Sequence, residues 1–295
     1  MKISVLQVTK DCNQNCFYCT RDITAVNENL ASLKKKIDSL KDVDEIILTG
    51  GETTLLKELP ELIRYAKSKI KKVHLQSNGI NLHDMDYCRE IIDSGITSVL
   101  IAIPSAQKEV CEKIARVKDI FDKKVQSIIN MSQFKNINTG VVFVVNKYNY
   151  KEYPEYVKFI SSISRDIYIQ LTYMIRYTND IESMRPHVAR LKDFKPYLDK
   201  GLNLCRGKNM QFRIDGIPLC YVNEYLENVS DLFDRKYNFV QDFIDADRKK
   251  YDSDNYEGKE HVKAESCRDC RLNEQCKGLY EYYTKLFGTD ELKPV

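Results

Sequence analysis

The sequence predicts an α/β protein: a partial (β/α)6 barrel of parallel strands followed by a small C-terminal unit. Three observations carry this. Six short, strongly apolar runs alternate with stretches of helical periodicity, the pattern of βαβ units around a buried parallel sheet. Glycine-rich or polar, chemistry-bearing residues follow the ends of the runs, where α/β sheets place their ligands. After about Thr178 the texture changes to polar and charged sequence with cysteines. Six units are too few to close as the eightfold barrel does, so an open, partial barrel is expected.

Residues 3–8 read as the first strand, and residues 27–40 as a helix with apolar spacing at Leu30, Leu33, Ile37 and Leu40. The second strand spans 45–49, a helix 57–70, and the third strand 72–77 before a helix over about 84–93. Strand four covers 98–103, with helical stretches at 108–116 and 121–134. Strand five covers 139–145, a helix 153–163, and strand six 167–173. Beyond these, Pro186 and Pro196 bracket a polar helical segment. Asp215-Gly216 lies between two β-prone runs, a hairpin signal. The expected division is a core of residues 1–178 and a C-terminal unit of residues 179–295, with a highly charged stretch from Asp231 to Lys263.

With 295 residues and 43% apolar content the chain can bury a sizeable core. No run of about 18 apolar residues exists, and the N-terminus enters a strand pattern at once, so neither a membrane span nor a signal peptide is expected. The 46 basic and 43 acidic residues nearly balance, so nucleic acid is not demanded as a partner. Ten unevenly grouped cysteines in a chain without a secretion signal favour a reducing cytoplasm and metal ligation over disulfides.

Cys12, Cys16 and Cys19 have three and then two residues between them, on a loop directly after the first strand. Three thiolates on one short loop can face a common point, as a cubane iron–sulfur cluster requires, leaving one iron open. A zinc knuckle, or three cysteines clustered by chance, is the bland alternative. Thr49-Gly50-Gly51-Glu52 closes the second strand; two glycines allow close backbone approach to a ligand, and Glu52 can accept from an ammonium. Gln76-Ser77-Asn78-Gly79 closes the third, where a plain Asn-Gly turn is the alternative reading. Pro104-Ser105 follows strand four, and Asn146 ends strand five, where it reads equally as an ordinary strand terminator.

The Cys-x3-Cys-x2-Cys pattern with Tyr18 before its last cysteine, followed in order by Gly50-Gly51-Glu52 and Ser77-Asn78-Gly79, resembles the radical S-adenosylmethionine enzymes over about residues 2–173. The resemblance implies a 4Fe–4S cluster on Cys12, Cys16 and Cys19, whose open iron is chelated by S-adenosylmethionine. It implies a 5′-deoxyadenosyl radical as the hydrogen-abstracting species. Tyr18, Gly50, Gly51, Glu52, Ser77, Asn78, Ser105 and Asn146 are the implied cofactor contacts. Thr53 stands where the family usually has proline, a departure expected to alter loop stiffness more than chemistry.

Among the other cysteines, Cys88 and Cys111 read as core residues of helices. Cys267-x2-Cys270-x5-Cys276 has ligand-type spacing, and Cys220 closes the Asp-Gly segment. With Cys205 they resemble the SPASM or shortened twitch domains of radical enzymes, which implies one auxiliary 4Fe–4S cluster. Five thiols compete for four places: Cys220, Cys267, Cys270 and Cys276 are favoured, Cys205 is the rival, and zinc is the alternative metal. His74, His83, His187 and His261 show no paired spacing and read as core or surface groups. Lys34-Lys35-Lys36 and the basic run from Lys69 to Lys72 read as solvated faces.

The resemblance points to an enzyme that oxidises or cross-links a ribosomally made peptide. Small-molecule dehydrogenation, for example of an aminosugar, is the alternative, and a non-enzymatic electron carrier the alternative from another class. A flavodoxin or ferredoxin is the implied electron donor. Against the peptide reading, the first strand is expected to begin at residue 3, leaving no room for an N-terminal leader-binding domain. A separate leader-peptide-binding protein is the partner a peptide substrate would call for.

Overall fold

The structure, a computed structural model, describes residues 2–21, 27–232, 240–244, 250–252 and 260–295. Its centre is one nine-stranded sheet in the order β7-β6-β5-β4-β3-β2-β1-β8-β9. The strands are β1 (Lys2–Thr9), β2 (Glu45–Gly50), β3 (Lys72–Ser77), β4 (Ser98–Ala102), β5 (Asn138–Val145), β6 (Tyr168–Tyr173), β7 (Phe212–Asp215), β8 (Val240–Ile244) and β9 (Lys250–Asp252). Every pairing is parallel except β8 with β9. Among the described residues β7 and β9 are the edges of the sheet, which does not close into a barrel, as the sequence predicts.

The helices in chain order are α1 (Leu30–Asp38), α2 (Leu59–Lys69), α3 (Met85–Asp93), α4 (Lys108–Ala115), α5 (Phe121–Ser132), α6 (Tyr153–Ile163), α7 (Leu191–Gly207) and α8 (Glu281–Phe287). Pleating sends alternate strand residues to opposite faces. Leu6, Leu48, Leu75, Ile101, Phe143 and Leu171 are all fully buried in the core cluster with the helix residues Leu62, Ile91, Tyr156 and Ile160. The alternate set is more polar and only half-buried: Gln7, Thr49, Gln76, Gln170, Thr172 and Asp215. Gln7 pairs with Thr49 and Thr172 with Asp215, while β4 and β5 place Leu100, Ala102, Val142 and Val144 on the same face between these polar groups.

Local chemistry sets several boundaries. Asn29 caps α1 by accepting from Ser32 N, which starts that helix later than its periodicity suggests. Asp84 caps α3 in the same way through the N–H groups of Asp86 and Tyr87. Pro60 and Pro154 occupy first turns, where a missing N–H costs nothing.

Three expectations change beyond residue 178. The polar segment bracketed by Pro186 and Pro196 is not bounded by the second proline: Pro196 lies inside the 17-residue α7. It sits within the second turn, where a single i−4 bond is lost and Phe194, Leu198 and Leu202 anchor the helix in the core. Arg213–Ile217 is not a hairpin. Its first half is β7, which takes β6 as a parallel partner, and Gly216 at φ +72° turns the chain away with Tyr280 packed on its α-carbon. The charged stretch from Asp231 supplies β8 and β9 to the sheet; its residues 233–239, 245–249 and 253–259 lie outside the described residues. The sheet thus draws on both sides of the expected boundary at 178.

A two-stranded antiparallel pair, β10 (His261–Val262) with β11 (Leu279–Tyr280), leads into α8. Tyr282 donates its hydroxyl to Met174 O beyond β6. Glu291, 5% exposed, is paired with Arg190 and accepts from Tyr283 Oη at 2.6 Å and Lys192 N at 3.1 Å. A buried carboxylate so satisfied fastens the C-terminal segment to the start of α7. No described helix is long and apolar enough to cross a membrane.

Candidate iron–sulfur and S-adenosylmethionine site

The cysteine loop leaves β1 and is held largely through its main chain. Gly51 N donates to Thr9 O and Glu52 N to Asp11 O, both at 2.7 Å. On the other side, Asn15 N donates to Ala115 O at 3.0 Å and Phe17 N to Ile114 O at 3.3 Å, at the end of α4. The glycines make the first contact possible. A Cβ on Gly50, at φ +135°, would sit 2.2 Å from Thr9 O, and one on Gly51 2.2 Å from Asp11 O. The sequence suggests that they admit a ligand; what they admit in the structure is the backbone of the cysteine loop itself.

Cys12 and Cys16 are half-buried and Cys19 is exposed. Burial pushes the Cys16 thiol up to about 11, opposed by the Lys124 ammonium and reinforced by Cys19 and Cys12. Burial also raises Cys12, against a backbone N–H from Gln14 and the charge of Arg21. The three thiols therefore lie within electrostatic reach of one another. Among the described residues no three His, Cys, Asp or Glu side chains converge on a single-ion site. Raised thiols are protonated at neutral pH, so metal loading must release protons. Cys16 Sγ donates to Gln14 Oε1 at 3.3 Å, and Asn78 Nδ2 reaches Cys12 Sγ at 3.9 Å and Asn13 Oδ1 at 2.7 Å. Tyr18 is half-buried, edge-on to Phe17 at 5.1 Å, and burial raises its hydroxyl well above the ordinary tyrosine range.

Glu52 is 1% exposed and accepts four hydrogen bonds. Its Oε1 takes Thr54 N at 3.1 Å, Thr54 Oγ1 at 2.5 Å and Ser77 Oγ at 2.7 Å; its Oε2 takes Asn78 N at 2.6 Å. The carboxylate joins the ends of β2 and β3, and Oε2 keeps a lone pair for one more donor. Thr53, in the place of the family's proline, donates to Gln76 O at 2.8 Å and restores stiffness by another route. Glu52, Ser77, Asn78 and Cys12 are thus one connected group.

Two other expected contacts are spent locally. Ser105 is fully buried, and its hydroxyl closes a turn with Gln107 N at 2.9 Å and Gln107 O at 3.1 Å. Asn146, also fully buried, donates to Val144 O at 2.9 Å and accepts from Tyr148 N at 2.9 Å. The terminator reading describes its hydrogen bonds.

Cys267, Cys270 and Cys276 are half-buried on the segment between β10 and β11, and Cys220 is half-buried in the single turn Leu219–Tyr221 that follows β7. Burial raises Cys220, and Cys276 and Cys267 raise it further, so these three share one neighbourhood. Cys205 is not with them. It is fully buried in α7 against Tyr153, and burial pushes its thiol up to about 12. The structure corrects the expectation that Cys205 rivals the others as a ligand: α7 points it into the core.

Sequence reasoning missed Lys124, on α5. It is fully buried and donates to Ala102 O at 2.7 Å and to Asn78 O. A lysine in an amphipathic helix carries no local mark of burial; the adjacent Lys123 is exposed.

The chain is similar to proteins of several activities. It is 29% identical over 158 residues to the Fe-coproporphyrin III synthase of Methanosarcina barkeri, a match over 52% of this chain and 39% of that protein. It is 26% identical over 159 residues to a probable GTP 3',8-cyclase of Saccharolobus islandicus, over 52% of this chain and 51% of the relative. The chain thus spans about half or less of the length of these two curated relatives. In structure it resembles Streptococcus suis SuiB bound to precursor peptide SuiA, with TM-score 0.62 and 14% identity over 96% of this chain and 72% of that one. It also resembles anSMEcpe with bound AdoMet and Cp18Cys peptide, with TM-score 0.59 and 16% identity over 100% of this chain and 92% of that one. At such identities these two likenesses speak for the fold. The Radical SAM superfamily profile matches residues 6–160, the span from β1 through most of α6 that holds the cysteine loop and Glu52. The chain belongs to the Radical SAM superfamily of enzymes.

Proposed function

We propose that this enzyme abstracts hydrogen from a ribosomally made peptide and oxidises or cross-links it. A reduced 4Fe–4S cluster with S-adenosylmethionine, when bound, supplies a 5′-deoxyadenosyl radical. In this reading Cys12, Cys16 and Cys19 hold the cluster, each thiolate binding its own iron, which suits thiols that are neighbours without converging on one point. Glu52 Oε2 receives the ammonium group of S-adenosylmethionine, Ser77 and Asn78 hold that carboxylate in place, and Tyr18 covers the loop. Ser105 and Asn146 shape the ends of β4 and β5 beside it. The inner face of the barrel, lined by Gln7, Thr49, Gln76, Gln170 and Thr172, orients the substrate and keeps water away.

Residues 179–295 add a unit whose Cys220, Cys267, Cys270 and Cys276 hold one auxiliary 4Fe–4S cluster of the SPASM or twitch kind. It would supply an electron acceptor for a net oxidation. A flavodoxin or ferredoxin serves as reductant, and a separate protein binds the leader peptide. Ten cysteines without a disulfide suit a reducing, cytoplasmic setting.

One observation favours the peptide. The likeness to SuiB and anSMEcpe, whose structures carry peptides, extends over 96–100% of the chain, including the C-terminal cysteines. The matches to the coproporphyrin synthase and to this GTP cyclase cover 52% of it. Those relatives favour a second reading, a small-molecule substrate. Anaerobic incubation with S-adenosylmethionine, reductant and either candidate peptides or small alcohols, followed by mass spectrometry, separates the two. The peptide reading predicts a mass change on the peptide alone.

A further inference from the structure

A fully buried lysine stands beside the cysteine site. Lys124 has no exposure, yet its ammonium ties together the carbonyls of Asn78, after β3, and Ala102, the last residue of β4. An ammonium has three donors, and these carbonyls take two. Carbonyl partners carry no charge, so electrostatic support for its cation comes from other groups. Burial lowers the Lys124 ammonium, and Cys111, Cys16, Glu52 and Cys12 act against that shift. Two of these are thiols of the cysteine loop, and Glu52 is the carboxylate linked through Asn78 to Cys12. Apolar side chains could fill this position in α5 at lower cost, because an uncompensated buried cation is expensive.

We propose that Lys124 is a positioning residue that sets the electron affinity of the site: its buried charge stabilises the anionic thiolates and the electron that the bound cluster accepts. The inference rests on the radical-enzyme reading above. The step it acts on is the transfer of one electron to the cluster from a one-electron donor, dithionite or a flavodoxin-class protein. No bond is made or broken. The favourable interaction between a charged Lys124 and the cluster would be larger after the transfer, since the cluster is then one unit more negative and the lysine lies out of water.

The test uses reconstituted full-length protein without S-adenosylmethionine. Iron and sulfide are counted, and the midpoint potential is read by EPR-monitored redox titration for wild type, Lys124→Met, Lys124→Gln and Lys124→Arg. The neutral variants should keep about four iron at the first site and lose at least tenfold in the equilibrium constant for reduction, ~59 mV for one electron. Lys124→Arg, which keeps the charge, should stay near wild type. If Lys124→Met does not fold, Lys124→Gln, which keeps an amide donor for the carbonyls, decides. Equal potentials in wild type and a neutral variant overturn the proposal, as does an arginine variant that falls with the neutral ones. A wild-type protein that loads no iron overturns the radical-enzyme reading as well, an outcome distinct from iron-replete variants with equal potentials.

Discussion

Replacing Glu52 by glutamine tests whether its carboxylate organises the site before any cofactor arrives. The amide nitrogen must take the place of one oxygen. At Oε1 it would face three donors, Thr54 N, Thr54 Oγ1 and Ser77 Oγ; at Oε2 it faces one, Asn78 N at 2.6 Å. The second arrangement is cheaper, and it still sets two N–H donors against each other in a buried site. One hydrogen bond to a charged group is lost, about 1.5–3 kcal/mol, and the remaining ones weaken to neutral strength. We expect a total cost of about 2–4 kcal/mol. Urea unfolding of the iron-free protein, followed by circular dichroism, should show a lower midpoint at unchanged slope. A midpoint equal to that of wild type would refute the four-bond arrangement. On the folded variant, S-adenosylmethionine binding to the reconstituted protein should weaken by about 10- to 150-fold, the about 1.5–3 kcal/mol of one hydrogen bond to a charged group expressed as affinity. Normal binding by a destabilised variant would confine Glu52 to shaping the turn.

Changing Cys12, Cys16 and Cys19 together to alanine should remove about four iron and four sulfide per chain and abolish 5′-deoxyadenosine formation; undiminished cleavage would contradict the assigned loop. Cys267→Ala with Cys270→Ala should lower reconstituted iron from about eight to about four per chain and leave S-adenosylmethionine cleavage intact while oxidised product disappears. Native protein with four iron and one zinc would make that site structural. Gly51→Ala forces its Cβ against Asp11 O and Lys10 O, so the two 2.7 Å bonds to the cysteine loop should break, with a loss of about 1–3 kcal/mol in urea stability and impaired iron loading. Burial lowers His74 to about 4, so its neutral form is the one that suits the fold. That contribution is complete above the ordinary value of 6.5 and is lost as pH falls from there toward 4, by up to about 3 kcal/mol. Urea midpoints between pH 7.5 and 4 should fall more steeply for wild type than for His74→Gln; parallel curves would rule the linkage out.

The fold was legible wherever the pattern was local. β3 and α6 have the bounds their periodicity predicts, since alternating Val73 and Leu75, or Tyr153, Tyr156, Val157 and Ile160, leave one choice of face. The partner of residues 212–215 was not legible. An apolar alternation states that a strand exists, and its neighbour is selected by packing some forty residues away, on β6. Within the site, the cysteine spacing and Gly50-Gly51-Glu52 were readable as chemistry because their residue types are unusual in combination. Their hydrogen bonds were not, since the network runs through Thr54 and Ser77, residues any loop might carry. Cys220 was favoured over Cys205, yet the sequence could not remove Cys205 as a rival, because the direction in which α7 aims a thiol depends on helix phase. Lys124 was invisible for the same reason: next to Lys123, only the docking of α5 decides which lysine is buried.

The pairing of β1 with β8 has a consequence for how the chain is made. Residues 2–6 leave the ribosome long before residues 240–244, and one side of their strand stays without that partner until the later residues have been synthesised. At ordinary translation speeds that wait lasts roughly 10–50 seconds. Throughout it, a strand rich in Ile, Val and Leu offers a row of open backbone groups, the kind of edge that recruits other chains. Overproduction should therefore be limited by what happens to nascent chains, and slower growth or chaperones that shield unfinished sheets should raise the yield of protein more than any change to its cofactor site.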